Sequence, residues 1–246
     1  MKRLATAALS LAVFLLIWKA AVVIGGYPDY ILPAPEAVLE RGLRAIASGV
    51  LWEHTAATLA EVVLGFVVGA SVAVAVGTAL GKSVLIERAL SPYIVAAQAV
   101  PILALAPLLD IWFGGGLLAR VAICALIVFF PIAIATMVGI RSADPLLAEM
   151  LGSLGATTAQ RTRLLEIPSA LPVIFGGLRV GVTLAVIGAV VAEWAGARTG
   201  LGVLVLIANQ GLFDTALMFV ALATLATIGL VFYGLVVFVE RRVVPQ

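Results

Sequence analysis

RSADPLLAEMLGSLGATTAQRTRLLEIPSALP, residues Arg141 to Pro172, is the longest polar interruption in the second half of a chain that is otherwise almost continuous hydrocarbon. Its local grammar predicts helix, break, helix. Ser142 and Asp144 are of the types that cap a helix N-terminus, and Pro145 fits the first helical position, where a missing N–H costs nothing. Leu146, Leu147, Met150, Leu151 and Leu154 recur at helical spacing on one face and leave Glu149 on the other. Gly155 stands where a helix ends in a left-handed residue. Thr157, with Gln160 three residues on, has the pattern of a capping box that opens a second short helix. Pro168 and Pro172 mark the start of the next apolar run. A folded hairpin between two membrane spans is more than a tether requires, and it predicts a docking element.

Composition makes the surroundings of this hairpin a membrane. Of 246 residues 63% are hydrophobic and only 11% charged, and the mean hydropathy is +1.22. Soluble domains do not reach such values, and the apolar residues fall in long blocks rather than amphipathic stripes. With no water in a bilayer core, those blocks must be helices, whose backbone groups are satisfied within the segment. The formal charge of +2 is too small and scattered for nucleic acid. The single cysteine, Cys124, excludes an intrachain disulfide and argues against a thiol metal site. His54, the only histidine, has no partner motif and reads as solvated or interfacial.

Six spans of about 20 residues are expected. The first runs from about Leu4 to Gly25 and reads as a retained anchor, because its apolar run exceeds a signal-peptide core. A polar stretch follows, in which Glu36 to Ser48 can form a surface helix along the membrane. Span two covers about Ala56 to Leu80, with Gly65, Gly69, Ala73 and Gly77 repeating every four residues, a small-residue face suited to close helix packing. A short charged turn, Gly81 to Arg88, comes next. The run Gly77 to Ser83 looks like a phosphate-binding loop but is one residue short and follows no strand, so a helix end with a basic flank is expected there. Span three covers about Ser91 to Phe113, interrupted by Pro101 and Pro107; span four about Leu117 to Ile140; span five about Val173 to Ala195; span six about Ala216 to Val239.

Basic residues orient the chain. With the N-terminus inside, Lys2, Arg3, Lys82, Arg88, Arg141, Arg161, Arg163, Arg179, Arg241 and Arg242 are cytoplasmic. Only Arg41, Arg44, Arg120 and Arg198 are outside, with Lys19 at the membrane edge. Both termini and the hairpin are therefore expected in the cytoplasm.

Glu149, Gly155 six positions later, and Leu165-Glu166-Ile167-Pro168 ten further on resemble the EAA loop of bacterial ABC-importer permeases. Met150 and Leu151 replace its two alanines, and Leu165 and Ile167 exchange its aliphatic types. Gln98-Ala99-Val100-Pro101, Ala106-Pro107-Leu108, Trp112-Phe113-Gly114, Phe129-Phe130-Pro131, Gly177-Leu178-Arg179 and Ala192-Glu193-Trp194 extend the likeness from about Tyr30 to the end. Together they are similar to the nitrate, sulfonate, taurine and bicarbonate branch, which includes permeases for thiamine precursors and riboflavin. Asp110 departs from the pattern, where an apolar residue is usual.

The resemblance implies an all-α, six-span permease of the type I ABC importer fold. It would be one transmembrane domain over residues 1–246, with a first span at about 4–25, a periplasmic surface segment at about 26–55, core spans at about 56–239 and a coupling loop at 141–172. Two permease copies would form the pore in the bacterial inner membrane. Two cytosolic ATPase subunits would bind the hairpins, and an extracellular binding protein would deliver a small oxyanion or a vitamin-related heterocycle. The chain itself would be no enzyme and would need no cofactor.

The residues expected to meet the ATPase are Leu146, Met150 and Leu154 as an apolar knob, Glu149 and Arg161 as orienting charges, and Gly155 and Pro168 as the turn and its exit. Glu149 also reads as a solvated helix residue. Gln98 reads equally as helix packing or pore lining, Asp110 as a headgroup-zone residue or a substrate contact, and Glu193 as an interfacial or pathway carboxylate. A stand-alone secondary transporter or channel, with Asp110 and Glu193 carrying ions, is the alternative. Against it, no matching pair of broken helices is evident in two halves. An intramembrane enzyme lacks a nucleophile–base pair.

Overall fold

Every backbone group in a bilayer needs its partner within the segment, and the chain is helical along almost its whole length. The computed structural model describes residues 2–244. The helices are α1 Lys2–Gly25, α2 Pro35–Ala47, α3 Val50–Lys82, α4 Val84–Ala99, α5 Ile102–Trp112, α6 Gly116–Arg141, α7 Pro145–Ser153, α8 Thr158–Arg161, α9 Ile167–Trp194, α10 Leu201–Leu206 and α11 Thr215–Val243. Two π-helical segments continue them: Thr162–Glu166 joins α8 to α9, and Ile207–Gly211 extends α10. No strand occurs among the described residues.

Among the described residues, four runs are long and apolar enough to cross a bilayer: α3, α6, the unbroken Thr158–Trp194 and α11. α4 and α5 together make a fifth, but bent by 98°. The expected single span from Ser91 to Phe113 is thus corrected to a broken pair. Pro101 supplies no N–H and pushes Val100 out of the helical region, to φ −76° and ψ 125°. Pro92, Pro107, Pro131 and Pro172 stay inside helices. The first expected span is a helix, whose fully described apolar part, Leu9–Gly25, is shorter than a crossing.

The expected turn from Gly81 to Arg88 shrinks to one residue. Ser83 alone separates α3 from α4, and its hydroxyl caps α4 by accepting from the Ile86 N–H at 3.3 Å. The phosphate-loop look-alike is α3 helix through Lys82.

Two compact units divide the chain. One gathers α1, α2, the start of α3 to Ala57 and the segment Thr199–Ala226. In it Trp18 stacks on Phe219 with centroids 5.3 Å apart, and its indole N–H donates to the Pro33 carbonyl at 3.1 Å. Arg41 pairs with Asp214 at 2.6 Å, and Lys19 pairs with Glu36. That hydrogen bond from Lys19, aided by the backbone at Glu36, holds the Glu36 carboxyl below its ordinary range. α2 turns Ala45 inward and leaves Leu39, Leu43 and Ile46 uncovered. His54 is buried with Nδ1 2.6 Å from the Gly200 carbonyl oxygen, so it is not the solvated residue its sequence context had implied.

The second unit holds Thr58–Arg198 and the end of α11 from Thr227. α6 and α9 form its central pair. The small-residue face of α3 lies against α6, as expected. A Cβ on Gly69 would come within 2.6 Å of the Ala125 carbonyl oxygen, and one on Gly77 within 2.5 Å of that of Ala133. Ala106 of α5, Ile123 of α6 and Ala192 of α9 meet in a buried cluster.

Candidate functional site

The hairpin forms by local chemistry. The Asp144 carboxylate accepts from the Leu146 N–H at 2.8 Å, and Pro145 opens α7. α7 closes with paired return bonds, Gly155 N–H to Gly152 O and Ala156 N–H to Leu151 O, both 3.0 Å. That closure needs a left-handed residue, and Gly155 has φ +75°. Thr157 and Gln160 then make the capping box of α8 in both directions.

The second arm departs from expectation. α8 is four residues long, and no break separates it from the span. Pro168 falls in the first turn of α9 and carries no N–H there. The π segment before it widens the turn, which relieves the clash of a proline ring with a carbonyl four residues back.

α7 projects its knob. Leu146 and Leu154 are 74% and 75% exposed, Met150 is 52% exposed, and Ala148 and Leu151 are the half-buried side. Glu149 is exposed and makes no ion pair among the described residues. Arg161, expected as a second orienting charge, is exposed too, at 48%, and is held from below. Its Nε donates to Glu166 at 3.1 Å.

Glu166 is the hub beneath the hairpin. It also accepts from Thr162 Oγ1 at 2.8 Å and lies 3.4 Å from Lys82 Nζ, while Lys82 donates to Thr162 Oγ1 at 3.0 Å. The hairpin is thereby tied to the end of α3. Arg141, at the end of α6, donates to the Gly81 and Leu80 carbonyls and pairs with Glu87 of α4 at 2.8 Å. Sequence reading passed over Glu166 as a polar site; its signal was a carboxylate between Arg161, Arg163 and a proline-marked span.

A second polar group lies near the other end of α3. Glu61 accepts from Arg120 of α6 at 2.7 Å, and Thr58, one turn before Glu61, donates to Glu193 of α9 at 2.5 Å. Glu61 and Glu193 are 0% and 1% exposed. Glu61 Oε2 has no hydrogen-bond partner among the described residues. Glu193 therefore lies inside the helix packing, one residue before the end of α9. Elsewhere in the second unit, Arg179 of α9 forms a two-pronged pair with Glu240 of α11.

The remaining candidates are not gathered into one site. Gln98 is exposed on α4 and reaches only back to the Ile94 carbonyl at 3.4 Å. Asp110 is half-buried on α5, where its Oδ2 would lie 2.9 Å from a Cβ on Gly196. Gly196 follows Glu193 by three residues, so Asp110 is near the Glu193 end of α9.

Long apolar helices, small-residue packing and a capped hairpin projecting between two spans mark a multi-span membrane protein. The chain belongs to the family of binding-protein-dependent transport system inner membrane components, which it matches over residues 65–245. It is 48% identical over 235 residues to the riboflavin transport system permease protein RibX of Chloroflexus aurantiacus, covering 96% of this chain and 87% of that one. It is 36% identical over 188 residues to the formylaminopyrimidine transport permease protein ThiX of Halalkalibacterium halodurans, covering 76% and 74%. The taurine transport system permease protein TauC of Escherichia coli is 32% identical over 241 residues, covering 96% and 87%. Among solved structures, a chain of the inward-facing MetNI methionine ABC transporter superposes with a TM-score of 0.65 at 21% identity, covering 81% of this chain and 96% of that one. The fold is that of an ABC-importer permease, an integral component of the inner membrane.

Proposed function

We propose that the chain moves a small solute across the membrane by rocking against a second copy of itself, driven by two cytosolic ATPase subunits gripping the α7–α8 hairpins. An extracellular binding protein delivers the solute. Both termini and the hairpin are cytoplasmic, in keeping with the ten basic residues on that side against four outside. One observation carries the reading: Leu146, Met150 and Leu154 stand uncovered on a helix whose two ends are locked by caps. Uncovered leucines on a rigid helix fit the groove of a partner. The hub of Glu166, Lys82 and Arg161 passes a push on the hairpin to α3 as well as α9.

The solute class we infer is a planar vitamin-related heterocycle rather than a small oxyanion. The 48% identity to a riboflavin permease, against 32% to a taurine permease, supports this choice. Gln98 and Asp110 are proposed to flank the pathway, and Glu193 to position α9 from inside the packing. Copurification from native membranes tests the assembly: two ATPase chains per two permease chains are expected. A permease that purifies alone and transports without ATP would sink the proposal.

A further inference from the structure

Beneath the hairpin lies a cleft of about 530 Å³, walled by the end of α3 at Gly81 and Lys82, the end of α6 at Ile140 and Arg141, and the hairpin residues Arg161 and Glu166. Three cationic side chains line it against one carboxylate. Their donors are not used up. Arg161 spends only its Nε on Glu166, and both its terminal nitrogens make no hydrogen bond among the described residues. Lys82 donates one hydrogen bond, to Thr162, and lies at ion-pair distance from Glu166, which leaves donor capacity on its three-donor ammonium. Arg141 is balanced by Glu87, which leaves Glu166 as the one counter-charge for both Lys82 and Arg161. A surplus positive charge and a free guanidinium fork in a cleft match an oxyanion able to accept several hydrogen bonds at once. The cleft also lies at the ends of α3 and α6, two of the helices long and apolar enough to cross a bilayer.

We propose that this cleft binds a phosphate-class oxyanion, carried by an anionic phospholipid headgroup or free in solution. Bound there, the anion replaces solvent between the hairpin and the ends of α3 and α6 and stiffens the joint between them. The site is independent of which solute is carried and of the ATPase reading, because binding is measured on the permease chain alone.

The full-length chain is purified into nanodiscs of phosphatidylcholine with or without phosphatidylglycerol, and retained lipid is counted by native mass spectrometry. In a second arm, inorganic phosphate is titrated against the phosphatidylcholine nanodiscs and thermal unfolding is followed. Selective retention of phosphatidylglycerol assigns a lipid; stabilisation by phosphate alone assigns a free anion. Arg161→Gln is expected to weaken either response roughly tenfold, the scale of one lost charge-assisted contact. Glu166→Gln removes the competing carboxylate and is expected to strengthen it, whereas a cleft serving only the internal hub would weaken. Arg163→Gln, the same charge change on a residue outside the cleft, is expected to leave binding unaltered. The proposal is overturned if neither arm responds, if Glu166→Gln weakens binding, or if Arg163→Gln matches Arg161→Gln.

Discussion

The two ends of α3 treat charge in opposite ways. Near Thr58 the charges are sealed: Glu61 and Glu193 are almost wholly buried, and each accepts from a donor on a different helix. Near Lys82, roughly 36 Å further along the helix at 1.5 Å per residue, Arg161, Lys82 and Arg141 remain partly exposed, with apolar side chains of α7 uncovered beside them. A buried carboxylate that loses its partner is strongly destabilised, so the first end fixes how α3, α6 and α9 pack. A half-exposed ionic hub rearranges at small cost, so the second end suits a joint that moves. Sealed and half-exposed charge are thus separated along one helix.

The largest effect expected from breaking this contrast is at Arg120. Arg120→Met leaves Glu61 buried without its cation and is expected to cost about 3–5 kcal/mol, read as a fall in thermal unfolding temperature. Glu61→Gln combined with Arg120→Met is expected to recover most of that loss. Equal instability of the single and double variants would remove the ion pair from the account. Next comes Gly155→Val, which forces a β-branched residue to φ +75° at a local cost of about 1–2 kcal/mol. Its span packing is expected to stay intact while ATP-driven uptake in proteoliposomes is lost, because the angle between α7 and α8 changes. Retained uptake would show that the turn transmits nothing.

Leu146→Ser with Leu154→Ser is expected to reduce ATPase capture in pull-down without moving the unfolding temperature. Both side chains are already mostly exposed, so the variant removes contact with a partner and little internal packing. The smallest effect concerns Glu36 and Lys19. The Glu36 carboxyl titrates lower in the folded chain than its usual 4.5, so its contribution is complete above that value and fades as pH falls below it. A small stability difference between the parent and Glu36→Gln at neutral pH is expected to vanish in acid. A difference that persists unchanged would assign it to something other than this pair.

What sequence reading could reach follows the distance over which each feature is decided. Asp144, Pro145, Gly155, Thr157 and Gln160 act within a few residues of themselves, and the caps formed where their types predicted. The every-fourth small residues of α3 likewise declared a close-packed face. Glu61 and Arg120 are 59 positions apart, and Thr58 and Glu193 are 135 apart, so no local pattern links them. Their only trace was an acid within an apolar span, which marked Glu193 but was passed over at Glu61. The bend between α4 and α5 was half legible: proline at 101 was noted, but which of several prolines would break the helix depends on surrounding packing. The continuous run into α9 was missed because Pro168 reads as punctuation unless a π turn precedes it.

That π turn has a bearing on how the chain can vary. A helix is a screw, and one residue more or less advances its phase by about 100°. The widened turn at Thr162–Glu166 works as a slip in the thread between lever and span. Deleting one residue there would leave Gly177 and Gly181 of α9 facing α6, while swinging α7 and its leucines around the axis by more than a quarter-turn. The compass bearing of α7 relative to the spans is thus set by counting residues in one short segment.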